Sequence, residues 1–240
     1  MMRTILMAAL LPLAACGNMG DDDGGGIQGT GSGDARSFAV ADFTRVDLAG
    51  SDDVDVRVGP AFSVRAEGKS DVLDRLKIEK DGDTLKIGRR NGGGFFQNGS
   101  AKVFVTMPAI AGANLAGSGD LTVDRAQGDT LKARLAGSGT MTFAQIAVGR
   151  ADFAIAGSGD IDVAGSAREL GVSIAGSGNV EGKELSAERA DVKVAGSGNV
   201  TARVKGPATV RAFGSGDVDL GPDARCDSKD VGSGDIRCGG

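Results

Sequence analysis

The stretch Asp152-Phe153-Ala154-Ile155-Ala156-Gly157-Ser158-Gly159-Asp160-Ile161-Asp162-Val163 decides the fold. On both sides of Gly157-Ser158-Gly159 apolar and polar residues alternate, the period of a strand with one buried face. Two glycines between such runs mark a corner, because glycine tolerates positive φ and close backbone approach. The acidic residue directly after them can bond its own turn backbone. Strand, corner, strand is therefore the unit, and the unit recurs. Gly-Ser-Gly begins at Gly117, Gly137, Gly157, Gly176, Gly196, Gly214 and Gly232, at nearly even intervals. The residue after the motif is Asp120, Thr140, Asp160, Asn179, Asn199, Asp217 or Asp235, and the next is always apolar, from Leu121 to Ile236. Two positions before it stand Leu115, Leu135, Ile155, Ile174 and Val194.

Repeats of about 20 residues with strand periodicity predict an all-β fold, a right-handed parallel β-helix or solenoid, in which inward columns form one core. A Ser column and an Asp/Asn column would run along one outer edge. Working outward, a degenerate copy, Ala49-Gly50-Ser51-Asp52, lies several such intervals before Gly117. The regular coils are expected over residues 109–240, with residues 37–108 forming a less regular part. Within it, residues 44–48 and 54–58 flank the degenerate motif like later coils. Residues 70–76 read as one helical turn with Ser70 as cap. Lys80-Asp81-Gly82-Asp83 reads as a hairpin turn built on Asp-Gly. A Gly-rich loop carries Phe95-Phe96. The whole region is expected to interrupt the coils as an insertion.

The N-terminus sets the expected compartment. Arg3 precedes an apolar run from Ile5 to Ala15, which is too short to span a bilayer. Its exit, Leu13-Ala14-Ala15-Cys16, resembles a bacterial lipobox, so residues 1–15 read as a lipoprotein signal peptide and Cys16 as the lipidation site. Several acyl chains on Cys16 would anchor the chain stably. Gly17 after the cysteine, in place of Asp, resembles the sorting signal for the outer membrane. Residues 16–36 carry almost no large apolar residue and read as the lipidated Cys plus a flexible tether. Gly31-Ser32-Gly33-Asp34 falls there and reads as chance. The other cysteines, Cys226 and Cys238, fall on inward columns of the last coil, so a disulfide between them would staple that end in an oxidising compartment.

The body of the chain also resembles a known family. Phe43-Thr44-Arg45-Val46, Val54-Asp55-Val56-Arg57-Val58-Gly59, Val64-Arg65-Ala66-Glu67-Gly68, Leu85-Lys86-Ile87, Val103-Phe104-Val105-Thr106-Met107-Pro108 and the Gly-Ser-Gly series follow one another as in the "putative auto-transporter adhesin, head GIN domain" family of bacterial envelope proteins. The resemblance covers about residues 38–240, implies a β-helix-like fold and offers no established catalytic residues to carry over.

Composition narrows the function. Hydrophobic residues make up 40% and charged residues 25%, as in a folded domain, so the 41 glycines have positional roles. The net charge of −5 argues against a nucleic-acid partner. Histidine is absent, which removes the ordinary Ser-His and Cys-His nucleophile pairs. No enzyme activity and no cofactor are expected. Asp217, Asp219 and Asp235 are the candidates for a calcium site; their structural reading is Asx turn bonding. Phe95 and Phe96 are the candidate contact loop, with cover for the solenoid end as the structural reading. The leading expectation is a non-enzymatic, adhesin-like binding or display module, held at the membrane by its lipid and taking a protein or glycan ligand. The alternatives are a purely structural envelope protein and a carbohydrate-active β-helix enzyme.

Overall fold

The computed structural model describes residues 25–90 and 99–239. Strands β1 (Gly29–Thr30), β2 (Ala35–Phe38), β3 (Arg45–Gly50), β4 (Asp53–Val58) and β5 (Ser63–Glu67) precede the short helix α1 (Ser70–Leu73). The hairpin β6 (Leu76–Asp81) and β7 (Thr84–Arg89) leads to β8 (Lys102–Met107), β9 (Gly112–Gly117) and β10 (Asp120–Val123). Long bent strands follow: β11 (Ala126–Gly137), β12 (Thr140–Gly157), β13 (Asp160–Gly176) and β14 (Val180–Gly196). After them come β15 (Val200–Val204), β16 (Pro207–Gly214), β17 (Val218–Asp219), β18 (Arg225–Gly232) and β19 (Ile236–Arg237). Together they form a β-solenoid of about 6 turns with roughly 20-residue spacing.

From β9 onward every coil pairs in parallel with the next, motif on motif: Gly117, Gly137, Gly157, Gly176, Gly196, Gly214 and Gly232 lie in one row. The inward column Leu48, Leu115, Leu135, Ile155, Ile174, Val194 is buried throughout. Across the core stands a second buried column, Val54, Leu121, Met141, Ile161, Val180, Val200, Val218. Phe143 and Phe153, both on the bent strand β12, meet inside the core with ring centroids 5.8 Å apart.

The corner shows why the motif needs both glycines. The Gly137 carbonyl accepts from the Ser158 and Gly159 amides at 2.9 and 3.0 Å, and the Gly157 carbonyl does the same for Ser177 and Gly178 at 2.9 and 3.2 Å. Gly157 holds φ 136°, and a Cβ on Gly157 or Gly159 would overlap the carbonyl oxygen of Gly137 or Gly139. The carbonyl of one corner thus sits in the space a side chain would occupy on the next.

Residues 59–111 differ from the expected insertion. β7 pairs in parallel with β3, Arg45 opposite Thr84, and β8 pairs with β4, Asp53 opposite Lys102. The supposed interruption supplies an additional coil, which the chain stacks below β3 and β4 before returning above them with β9 and β10. Antiparallel strands then cover that end: β6 beside β7, and β5, β2 and β1 in succession beside β8.

Three local expectations also change. Ser70 is the first helical residue and not the cap; Lys69 occupies the N-cap without a side-chain bond. The hairpin turn centres on Gly82-Asp83, with Asp81 opposite Thr84 and φ 59° at Gly82, so glycine takes the first central position, as in a type II′ turn. Ordered pairing begins earlier than residue 37. Gly29 and Thr30 pair with Phe38 and Ser37, and Gly31-Ser32-Gly33-Asp34 forms the connecting turn.

At the other end the inward columns turn polar. Ser228 and Asp230 occupy the places of Val210 and Ala212, and both are exposed. Cys226 and Cys238 pack against the core beside them and are joined by a disulfide, Cα to Cα 6.1 Å. An inward-pointing charge on a terminal strand blunts an edge that would otherwise template pairing with another chain.

Candidate ligand-binding groove

Outward residues carry any function, because the inward columns are consumed by the core. The residue before the first motif glycine is Ala49, Ala116, Ala136, Ala156, Ala175 and Ala195 in successive coils, each exposed. Phe213 and Val231 continue this row at 48% and 54% exposure, so the stripe ends in two large apolar side chains open to solvent.

At the N-terminal end this stripe becomes the floor of a trough of about 750 Å³. The floor is Gly88, Ala49, Ala116 and Ala136 on four adjacent strands, β7, β3, β9 and β11. Nothing larger than a methyl group rises from it. One long wall is the outward row Lys86, Asp47, Asn114 and Arg134; Lys77 and Glu79 on β6 close the end; Ser51 and Arg89 stand on the corner side. Most of the rim charge is already engaged. Asn114 Nδ2 donates to Asp47 at 2.6 Å, Lys86 pairs with Asp81 at 2.6 Å, and Lys77 with Glu79 at 2.8 Å. The Asp81 carboxylate raises the Lys86 ammonium above its ordinary pKa, so Lys86 stays charged. Arg134 makes no ion pair or hydrogen bond among the described residues and stands exposed at the β11 end.

Arg89 is fixed from behind by Asp52, the one fully buried charged residue among those described. Its Nε and Nη2 donate to the two Asp52 oxygens at 2.9 and 2.5 Å, and the Ala101 amide donates to Asp52 Oδ1 at 2.7 Å. Asp52 takes the place of the second motif glycine in the degenerate copy. It thus ties together the two ends of the chain between β7 and β8. Sequence reading missed this pair, although an Asp where other corners carry glycine was a visible signal.

The Asp/Asn column proves to be a hydrogen-bond ladder. Each side-chain oxygen accepts the backbone amide one coil on: Asp160 from Asn179 at 2.9 Å, Asn179 from Asn199 at 3.0 Å, Asn199 from Asp217 at 2.9 Å and Asp217 from Asp235 at 2.8 Å. Asn179 and Asn199 also stack as an amide pair, Nδ2 to Oδ1 2.9 Å. Of the calcium candidates, Asp217 serves this ladder, Asp219 accepts from the Gly221 amide at 3.0 Å, and Asp235 pairs with Arg237 at 3.4 Å. Among the described residues no group of three or more acidic or cysteine side chains could hold a metal ion. In the neighbouring outward row, burial, with Glu181 and Asp160 nearby, pushes the Asp162 carboxyl above its usual range. Cys16 and Phe95-Phe96 lie outside the described residues.

A second trough, of about 330 Å³, lies over β11 to β14, and two of its four lining cations are paired. Arg150 is bonded to Asp152 and Glu169, and Lys193 to Asp191. Among the described residues no helix is long and apolar enough to cross a membrane.

Comparison with known proteins agrees with this architecture. The family model "Putative auto-transporter adhesin, head GIN domain" matches residues 42–224. The chain belongs to that family. Among solved structures, a "putative adhesin" from Bacteroides fragilis superposes with a TM-score of 0.78 at 18% identity, covering 89% of this chain and all (100%) of that one. A "putative lipid binding protein" from Parabacteroides distasonis gives 0.67 at 22% identity, covering 88% and 98%. A "putative adhesin" from Parabacteroides merdae gives 0.68 at 15% identity, covering 88% and 97%. At these identities the likeness shows the fold. No curated protein matches the chain. The head GIN family and these structures are described by adhesion or binding, and none by an enzymatic reaction.

Proposed function

We propose that this head GIN protein is a non-enzymatic binding and display module of the bacterial envelope, anchored through lipid on Cys16, and that it takes its ligand in the trough beside β6. The observation that carries this reading is the floor of that trough. Gly88, Ala49, Ala116 and Ala136 present an apolar surface to solvent, while the stability of the fold resides in the inward columns on the other side of the same strands. A concave apolar surface with a few polar groups around it is what ligand sites have in common. The adhesin description of the family supports an exported or surface-facing role. The lipobox-like Leu13-Ala14-Ala15-Cys16 supports attachment through lipid, and Gly17 after the cysteine supports the outer membrane as its place.

The experiment is co-sedimentation of labelled protein with outer-membrane fragments over a concentration range. Saturable retention is expected. Retention that rises linearly without saturation would leave only the structural reading, and steady release of reducing ends from envelope polysaccharide would favour the enzymatic one. Attachment is tested separately with an alkyne-labelled palmitate: incorporation into the wild type and none into Cys16→Ala is expected.

A further inference from the structure

We propose that the ligand of this groove is an anionic amphiphile, a single linear acyl or alkyl chain whose carboxylate or phosphate head pairs with Arg134. This rests on the reading of the trough as the ligand site and adds the chemistry of what it takes. The floor offers only methyl groups and glycine backbone, so it gains by covering apolar surface and has nothing to hydrogen-bond. It is long and narrow. Four adjacent strands from β7 to β11, at about 4.8 Å each, make it about 14 Å from end to end, close to the extended length of a dodecyl chain. Charge is supplied at one end of that row. Lys77 and Lys86 already have carboxylate partners, and Arg89 is held by the buried Asp52. Arg134, at the β11 end of the floor, remains as the lining cation without a described partner. A guanidinium matches carboxylate and phosphate oxygens in a two-pronged fashion, and one such cation asks for one anionic head.

Other occupants fit less well. A sugar chain would want an aromatic platform, and among the described residues no aromatic side chain lines the trough. A polyanion would want several unpaired cations in a row. A bilayer surface would want a convex or flat contact, whereas β6 and the row from Lys86 to Arg134 make the floor concave.

The test is displacement of a dansyl-labelled undecanoate from the purified protein, below the micellar concentration of each competitor. Dodecanoate and dodecyl phosphate are expected to compete at one site per chain. Dodecanol should compete about tenfold more weakly, and dodecyltrimethylammonium more weakly still. Arg134→Ala should weaken both anions about tenfold while leaving dodecanol unchanged. Ala116→Leu, which fills the floor from an exposed position, should weaken all of them together. Equal competition by anion and alcohol, or anion binding unaltered by Arg134→Ala, overturns the head-group assignment. Undiminished binding to Ala116→Leu overturns the location. If dodecanoate does not bind but saturable envelope retention persists and is lost on Ala116→Leu, the amphiphile is wrong and the groove as ligand site stands; if neither is seen, both fall.

Discussion

The corner glycines allow a stringent comparison between two substitutions that are chemically the same. Gly50 and Gly157 are both the first glycine of a corner, with φ 125° and 136°. Alanine at either position incurs the strain of a backbone region that side chains avoid, about 1–3 kcal/mol. The surroundings differ. A Cβ on Gly50 meets nothing within 4 Å, whereas one on Gly157 would overlap the Gly137 carbonyl oxygen. To relieve that overlap the two corners must part, and the Ser158 and Gly159 amides lose their shared acceptor. Two hydrogen bonds at about 1 kcal/mol each, with a further cost where an amide stays dry, add about 2–4 kcal/mol. Gly157→Ala should therefore be more destabilising than Gly50→Ala by that margin. Urea unfolding followed by far-ultraviolet circular dichroism reads the difference from the midpoints at a common slope. Native-state hydrogen exchange should place the loss in the coils on either side of residue 157, since repeat stacks respond locally. If the two variants unfold within about 0.5 kcal/mol of each other, near the usual precision of such comparisons, interlocking of the corners is not what makes glycine necessary.

Replacing both Cys226 and Cys238 by serine opens a loop of sequence separation 12 and should cost up to about 3 kcal/mol, with exchange protection lost first in β18 and β19. Arg89→Met leaves the buried Asp52 carboxylate without its cation and should cost about 3 kcal/mol, measured by urea unfolding. Asp162→Asn should raise the melting temperature at neutral pH. A carboxyl whose folded pKa lies above its unfolded one binds protons more tightly when folded, so the wild type gains stability as pH falls through that window and carries the full penalty above it. The advantage of Asp162→Asn should accordingly shrink as the pH is lowered into the ordinary carboxylate range.

The regular coils were legible because stacking neighbours there are also sequence neighbours. A column such as Leu115, Leu135, Ile155 can be aligned by counting, and the same counting placed Cys226 and Cys238 on the core side of one coil. Periodicity failed where the chain stacks out of order. β3 has β7 on one side, with Arg45 opposite Thr84, and β9 on the other, with Arg45 opposite Gly112. No fixed interval reports such an arrangement, so the extra coil read as an interruption. The Asp52–Arg89 pair depends on that hidden register, and so does the trough, whose end wall belongs to β6. The strands β1 and β2 were missed for a different reason. Their stretch carries little apolar surface beyond Phe38, and their order comes from backbone pairing with β5, which hydrophobic pattern does not report. The Asp/Asn column, by contrast, was read in both its possible roles, and Asp217 and its neighbours are used as turn and ladder acceptors.

The central claim is that the outer face beside β6 binds an envelope ligand while the inner face holds the fold. Co-sedimentation of wild type and Ala116→Leu with outer-membrane fragments, alongside their melting temperatures, tests it most directly. Saturable binding by the wild type, lost in the variant at an unchanged melting temperature, is the predicted result. Equal binding by the two proteins would contradict it.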